Sequence, residues 1–417
     1  MKRQQFDIVG GIDVHRDVVV VTVRKHRRGG TDEVETRRFE TFRDSLTAMA
    51  SWLVDEGAEV VGLESTGVYW LPVVRALQEA APKLAIQVLN PLEVKSRAGR
   101  KTDRKDSIRI SELVMYGCVT PSFVPTWQQN ELRKLTRHRC KLTADSTRYK
   151  NRIIKELECS GVKLASVVSD CLGKSGRAMI EALLDGGKTP DQIAQLALGK
   201  LREKIPLLIR AVDGSFTPST AIVLRQLLGQ YDAIQSIIAA VDREIESRMQ
   251  PYQAEADLVR TIPGVDHVAA AASLAESGAD MSLFPSARHL AAWTGLSPGS
   301  EESGGKAKRA PTRKGNKFIR TVLVQCAWSA VKTKSCVWRT TFRRLVTRLG
   351  PRKAIVAIAR RMLLAYYHIL RERRPYAPPN ELPLPEPIRR KIVRSLANRL
   401  KSLGFEVALK PAAQAVS

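Results

Sequence analysis

The sequence predicts an α/β domain followed by mainly helical regions, and three observations carry that prediction. Short runs rich in Val and Ile alternate with helical patterns from residue 6 to residue 118. From residue 127 onward, apolar residues recur at three- and four-residue spacing over runs too long for strands. The last third carries one-sided basic charge laid over core-like helical patterns. A chain of 417 residues has room for two or three cores. We divide it into 1–126, an α/β domain; 127–255, a helical coiled-coil region with an insert; 256–375, a mainly helical domain; and 376–417, a Pro-rich linker with a basic tail helix.

In the first domain, strands are expected at Phe6–Ile12, Val18–Arg24, Glu33–Phe39, Glu59–Leu63 and Ile86–Leu89. Helices are expected at Asp44–Asp55, Leu71–Ala80 and Asp103–Tyr116. The first three strands are close enough for hairpins, with Arg27-Arg28-Gly29-Gly30 as one turn. The order β-β-β-α-β-α-β-α is that of an RNase H-like domain, a mixed sheet flanked by helices. Asp13 ends the first apolar run, Glu64 ends the fourth, and Asp103 and Asp106 open the last helix three residues apart, on one face. Strand ends of an α/β sheet are where ligands usually sit. Carboxylates gathered there suit hard divalent cations.

The central region reads as two long helices, Gln129–Glu158 and Thr220–Met249, around a stretch broken by glycines and Pro190. In the second helix Ile222, Leu224, Leu228, Ile237 and Ile245 belong to a stripe that fits either an antiparallel coiled-coil arm or ordinary core packing. Beyond it, Ile262-Pro263-Gly264-Val265 leads into a helix over His267–Ser277, a helix-hairpin-helix-like element. Asp266 replaces the second glycine usual there. It is a good N-cap but repels phosphate, so a DNA-contacting hairpin and a structural turn both stay open. A polar loop follows at Gly299–Lys306, then a helix opening at Arg313–Arg320, and in the tail a helix over Ile388–Leu403.

Net charge is +26. Between Gly304 and Arg374 stand 20 Lys or Arg against one acid, Glu372, so that stretch holds +19 and the rest of the chain +7. One-sided charge on this scale is a footprint for a polyanion. No apolar run reaches membrane-spanning length, so no membrane partner and a cytoplasmic protein, nucleoid-associated in use, are expected. The six cysteines form no CxxC and read as reduced thiols; zinc is not expected. His15, near Asp13, reads as a bystander. A basic chain holding a local acidic cluster reads as a metal-dependent nucleic-acid enzyme.

Several stretches together resemble the DEDD insertion-sequence transposases, bridge-RNA-guided recombinases with a RuvC-like N-terminal domain. In the first part they are Gly11-Ile12-Asp13, Glu64-Ser65-Thr66-Gly67-Val68-Tyr69 and Lys101-Thr102-Asp103-Arg104-Lys105-Asp106. Farther on they are Ile262-Pro263-Gly264-Val265, Gly295-Leu296-Ser297-Pro298 with Glu302-Ser303-Gly304, and Lys314-Gly315-Asn316. The resemblance implies that Asp13, Glu64, Asp103 and Asp106 bind Mg²⁺, as two ions that Mn²⁺ could replace. It implies that Ser303 is a nucleophile forming a transient phosphoserine link to DNA. It further implies a guide RNA and a homo-oligomer, dimer or tetramer, that brings both sets of residues together. Read from the residues alone, Ser297 and Ser300 are not distinguished from Ser303. Lys306, Lys308, Arg309, Arg313, Lys314, Lys317 and Arg320 are the candidate nucleic-acid contacts. Ser107 departs from the alanine frequent after the last acid, and the insert near 160–215 is extra. The alternative enzyme is a RuvC-like nuclease that hydrolyses DNA with water and no serine intermediate. A degenerate fold that only binds nucleic acid is disfavoured by the presence of all four acids.

Overall fold

A computed structural model of the chain describes residues 5–27, 29–65, 67–89, 103–119, 122–299, 301–303, 306–308, 312, 315–334, 336–378 and 386–408. The chain forms two compact units, Met1–Pro251 with Ala271–Leu283, and Tyr252–Ala270 with Phe284–Ser417.

The first unit opens with β1 (Ile8–Val14), β2 (Val18–Lys25), β3 (Glu33–Glu40), α1 (Arg43–Asp55), β4 (Val60–Glu64), α2 (Trp70–Ala80), β5 (Ala85–Leu89) and α3 (Asp103–Met115). The strands lie in the order β3-β2-β1-β4-β5. β1, β2 and β3 pair antiparallel, whereas β1, β4 and β5 pair parallel. This mixed sheet has the RNase H-like arrangement expected from the order of elements. β1 and β4 sit in its middle with both faces covered, which is why they read as near-continuous apolar runs rather than alternating ones.

Alternation along the strands sorts the side chains into two layers. Ile12, Val21, Val61 and Leu63 face α1 and α2, packing with Leu46, Met49, Leu53, Val73 and Leu77. Val9, Val60 and Leu89 face the other way, onto Ile110, Leu113 and Val114 of α3. Helix α1 buries Leu46, Met49, Ala50 and Leu53, the spacing of one helical stripe.

Next come two long helices, α4 (Trp127–Cys159) and α9 (Pro218–Met249), with a smaller helical subdomain between them. That subdomain comprises α5 (Leu164–Val167), α6 (Lys174–Asp185), α7 (Pro190–Ala194) and α8 (Ile205–Ala211). Thr126 and Thr217 cap the long helices, accepting from the amides of Gln129 and Thr220. The helices run antiparallel, because Arg139 pairs with Asp242 while Gln235 donates to Ser146 at 2.7 Å. The subdomain has its own core of Met179, Ile180, Ile193 and Leu208, joined by Ile153 and Leu157 of α4 and Leu224 and Leu228 of α9. Part of the expected stripe does not pack: Ile222 is 60% exposed and Ile237 45%. Gln235 and Asp242 are the positions that meet α4, and Leu224 faces the subdomain core; Ile237 and Ile222 stand two residues from Gln235 and Leu224, about 200° round the helix, and so point away from both.

The second unit holds α10 (Gln253–Arg260), the start of α11 (His267–Ser277), α12 (Ala287–Trp293), the hairpin β6 (Glu301–Ser303) and β7 (Lys306–Lys308), α13 (Lys317–Lys332), α14 (Val337–Leu349), α15 (Pro351–Glu372) and the tail helix α16 (Glu386–Ser402). Tyr366 and Tyr367 of α15 are fully buried, and the Tyr367 hydroxyl donates to Phe284 O at 3.1 Å. Asp266 caps α11, accepting from Ala269 N at 2.8 Å. Gly264 has φ +93°, and a Cβ there would collide with Cys326 O and Ala330, so this turn is pressed against α13. Among the described residues no helix is long and apolar enough to cross a membrane. All six cysteines are free, and burial pushes the Cys326 thiol up to about 12.

The segment Ala271–Leu283 is fastened to α4 by charge. Glu276 is nearly fully buried between Arg133, at 3.6 Å, and Arg137. Arg133 also donates to the carbonyls of Ala275 and Glu276 at the end of α11. Burial lowers its pKa to about 10, against the opposing pull of Glu276. Removing one member of a buried pair strands the other's charge. Glu276→Ala should therefore cost about 3 kcal/mol of stability, read as a lower denaturant midpoint. An unchanged midpoint would contradict this role.

Candidate active site

Two glycines decide how close α3 comes to the sheet. A Cβ at Gly11 would overlap Ser107 O and Ser111 N, and one at Gly62 would overlap the Val114 side chain and come within 3.2 Å of Ile110 Cγ2. The helix backbone therefore lies directly on β1, while the Val114 and Ile110 side chains fill the space over β4. Its direction follows from two contacts: Met115 O accepts from Gln5 N at 2.9 Å, just before β1, whereas Ser107 lies over Gly11 farther along that strand. Helix α3 runs against β1, and its first turn falls at the end where β1 and β4 finish.

The carboxylates follow from this seating. Asp13 shares its face with Val9 and Gly11, and Glu64 shares its face with Val60 and Gly62, both faces being the one that α3 covers. The parallel register pairs Ile12 with Leu63, so one step further sets Asp13 beside Glu64. Asp106 lies in the first turn of α3, where the helix dipole favours a negative side chain. Asp103 opens the same helix; its side chain lies outside the described residues. Asp13, Glu64 and Asp106 are thus brought to one end of one sheet face. Among the described residues, no group of three or more His, Cys, Asp or Glu is drawn tightly enough to hold an ion. The donor set is nonetheless all carboxylate oxygen, the chemistry a hard divalent cation requires.

Two details differ from the sequence reading. β1 runs one residue beyond Asp13, to Val14, because Val14 still pairs with Val19. His15 is not a bystander: its Nε2 lies 3.0 Å from Asp13 Oδ2.

The first turn of α3 is also anchored from beneath. Thr22 Oγ1 bonds Ser107 Oγ at 2.7 Å and Thr36 Oγ1 at 2.9 Å, a buried hydroxyl chain from the sheet to the residue after Asp106. Arg24 donates to Ser111 Oγ at 3.2 Å and pairs with Asp32 at 3.0 Å. Burial works against the Asp32 carboxylate, but hydrogen bonds with His26 and Arg24 outweigh it and hold the carboxyl below its ordinary range. Sequence reasoning missed these supports; Ser107 standing where alanine is frequent was the one available signal.

In the second unit the polar loop is partly a β-hairpin, with Glu301 paired to Lys308 and Ser303 to Lys306. A Gly/Ser-rich composition conceals a ladder of only three pairs. Ser303 is the last residue of β6, beside the Gly304-Gly305 connection. The base of this loop is closed by a bridge between Pro298 and Thr312. A Cβ at Gly315 would collide with the backbone of Thr294 and Gly295, and Asn316 N donates to Trp293 O at 3.0 Å. Asn316 then caps α13, accepting from Phe318 N at 3.0 Å. The Gly295-to-Pro298 stretch and Gly315-Asn316, far apart in the loop's sequence, thus close its neck together. Arg320 is engaged in the neck, donating to Thr312 Oγ1 at 3.0 Å, while Lys317 is exposed. Lys306 and Lys308 lie on β7, whereas Arg309, Arg313 and Lys314 lie outside the described residues.

An RNase H-like sheet with acids at the ends of its first and fourth strands defines a class of nucleic-acid phosphoryl-transfer enzymes. Comparison with known proteins narrows it. The family model DEDD_Tnp_IS110, described as Transposase, matches residues 10–159, and the Transposase IS116/IS110/IS902 family model matches residues 256–343. An Insertion element IS900 uncharacterized 42 kDa protein from Mycobacterium paratuberculosis is 30% identical over 310 residues, covering 68% of this chain and 74% of that protein. The transposase for insertion sequence element IS1111A from Coxiella burnetii is 28% identical over 211 residues, covering 49% of this chain and 57% of that protein. The Thermus thermophilus RuvC structure matches 28% of this chain and 99% of its own at 15% identity, with a TM-score of 0.23, a likeness too slight to add to the topology itself. The chain belongs to the IS116/IS110/IS902 transposase family. It is an enzyme that recombines DNA, and membership of a DEDD transposase family implies use of a divalent metal.

If α3 is seated on Gly11, Gly11→Ala should lift it from the sheet. The expected cost is about 1–3 kcal/mol in urea unfolding, together with loss of DNA cleavage, although no carboxylate is touched. A stable variant with full activity would contradict the seating.

Proposed function

We propose that this transposase cuts and rejoins DNA strands with Asp13, Glu64, Asp103 and Asp106 as the holders of Mg²⁺, two ions that Mn²⁺ can replace, and Ser303 as the nucleophile. The observation that carries the reading is the meeting of Asp13, Glu64 and the first turn of α3 at one end of one sheet face. Bound there, the cation would supply charge to the scissile phosphate and to its departing oxygen. The chain's residues do the rest. Ser303 Oγ attacks phosphorus: the Oγ–P bond forms, the bond to the sugar oxygen breaks, and the serine proton ends on that oxygen. A hydroxyl of the incoming strand then displaces the serine, so the phosphodiester is conserved and no water is consumed. A serine hydroxyl is a weak nucleophile and needs a base or a cation beside it.

The end-of-strand position of Ser303, on a hairpin with a closed neck, supports this role over Ser297 and Ser300. Lys306, Lys308, Arg309, Arg313, Lys314, Lys317 and Arg320 are read as contacts to nucleic-acid phosphate, Arg320 also bonding Thr312 in the neck. The close approach of Gly264 to α13 favours a structural role for the hairpin-like turn at 262–266. In this reading 1–126 is the RuvC-like catalytic domain, 127–255 the helical arm and 256–375 the serine domain, with 376–417 as a tail. A homo-oligomer, dimer or tetramer, and an element-encoded guide RNA belong to the same proposal. If RNA pairing supplies sequence specificity, the protein reads only backbone and shape.

The test is a denaturing gel of full-length protein, Mg²⁺, end-labelled element-junction DNA and RNA transcribed from the element's non-coding flank. A protease-sensitive protein–DNA adduct is expected, absent from both Ser303→Ala and Asp13→Ala. Cleaved DNA without an adduct, indifferent to Ser303→Ala, would overturn the serine step in favour of metal-dependent hydrolysis.

A further inference from the structure

Helix α14 carries four arginines, Arg339, Arg343, Arg344 and Arg348, and no acid in thirteen residues. Its two sides differ sharply. Trp338 is buried, and Phe342, Leu345 and Val346 are half-buried where the helix lies on α13 and α15. Phe342 meets Trp328 of α13 with ring centroids 5.7 Å apart. The opposite side presents Thr340, Arg343, Arg344, Thr347 and Arg348, all exposed. At 100° per residue these five fall within one arc of about 140°.

Among the described residues, no guanidinium on this helix makes an ion pair or a hydrogen bond. Elsewhere the chain behaves differently. In the first unit Arg148 pairs with Asp145, Arg225 with Asp185 and Arg248 with Glu244. A face built for solubility mixes signs in that way. Arg344 and Arg348, four apart, instead repel each other along the helix. The arrangement works against the isolated helix and gains from an external anion. The apolar side is already taken by α13 and α15, so the helix has nothing to insert into a membrane.

We propose that the exposed face of α14 is a binding site for the sugar-phosphate backbone of duplex DNA, with Arg343, Arg344 and Arg348 as its phosphate contacts. The proposal rests on the chain's acting on DNA as a transposase, and it adds a surface outside the carboxylates and the serine hairpin. From Thr340 to Arg348 the helix covers about 12 Å, against which duplex DNA presents about seven charges. The contact reads charge and not bases, so it orients the duplex without selecting its sequence. Both ends of the helix are held, by the turn after Cys336 and by Gly350-Pro351, which keeps the three guanidinium groups on one rigid element.

The experiment is fluorescence anisotropy of a labelled random-sequence duplex with the full-length chain, without Mg²⁺ so that the carboxylates take no part. A triple variant, Arg343→Gln, Arg344→Gln and Arg348→Gln, is compared with an equal-charge control, Arg148→Gln, Arg225→Gln and Arg248→Gln. The α14 variant should bind tenfold or more weakly at 150 mM salt, with a salt slope shallower by about 2.7, roughly 0.9 per lost contact. The control should match the wild type. Unchanged affinity and slope in an α14 variant with native circular dichroism would overturn the proposal. So would an equal loss in the control. Failure of the carboxylate or serine reading would show in the adduct assay and leave this result standing.

Discussion

The RNase H-like half of this transposase depends on the absence of two side chains. Gly11 leaves room for the backbone of α3 on β1 and Gly62 for its Val114 and Ile110 side chains on β4, and those contacts determine where the first turn of the helix falls. A helix held a side chain's width further out would carry Asp106 away from the strand ends. The same contact explains why Ser107 has a buried partner: its hydroxyl meets Thr22 only because the helix is this close. Packing, polar satisfaction and the convergence of acids therefore share one cause. Interiors packed to crystal density leave no slack for one of them to change alone.

The second unit uses the same device for a different purpose. Gly315 lets the chain return against Gly295, Asn316 bonds back to Trp293 and caps α13, and the Pro298–Thr312 bridge closes the loop above. A short hairpin on a closed neck is held more rigidly than an open Gly/Ser loop. Each unit thus uses a close approach at glycine, one to seat a helix on a sheet and the other to close the neck of a loop.

Much of this was legible in the residues, and the limits have physical reasons. β1, β2 and β4 stood out because valine and isoleucine dominate them, as suits strands inside a sheet with both faces covered. Asp13 or Glu64 alone would read as a cap or turn residue; they stood out because four acids fall in RNase H-like order in a chain this basic. Helical periodicity gave both long helices, α4 and α9, but not which residues of the α9 stripe are buried. Period reports that a residue could be buried, and Ile222 and Ile237 are exposed because they lie round the helix from Leu224 and Gln235, the positions that pack. The hairpin at 301–308 was hidden because three ladder pairs leave no periodic signature. The contacts of Gly11 with Ser107 and of His15 with Asp13 depend on distance and side-chain direction, which no local pattern encodes.

The central claim is that α3 brings its first-turn acid to the same cation as the strand acids. It is tested most directly by a double-mutant cycle on Mn²⁺ affinity with Asp13→Asn, Asp106→Asn and the pair. Shared coordination predicts strong coupling, with either single change weakening the tight site and the pair weakening it little further. Additive losses, or tight binding that survives Asp106→Asn unchanged, would mean that helix and strands serve separate sites and would contradict the account.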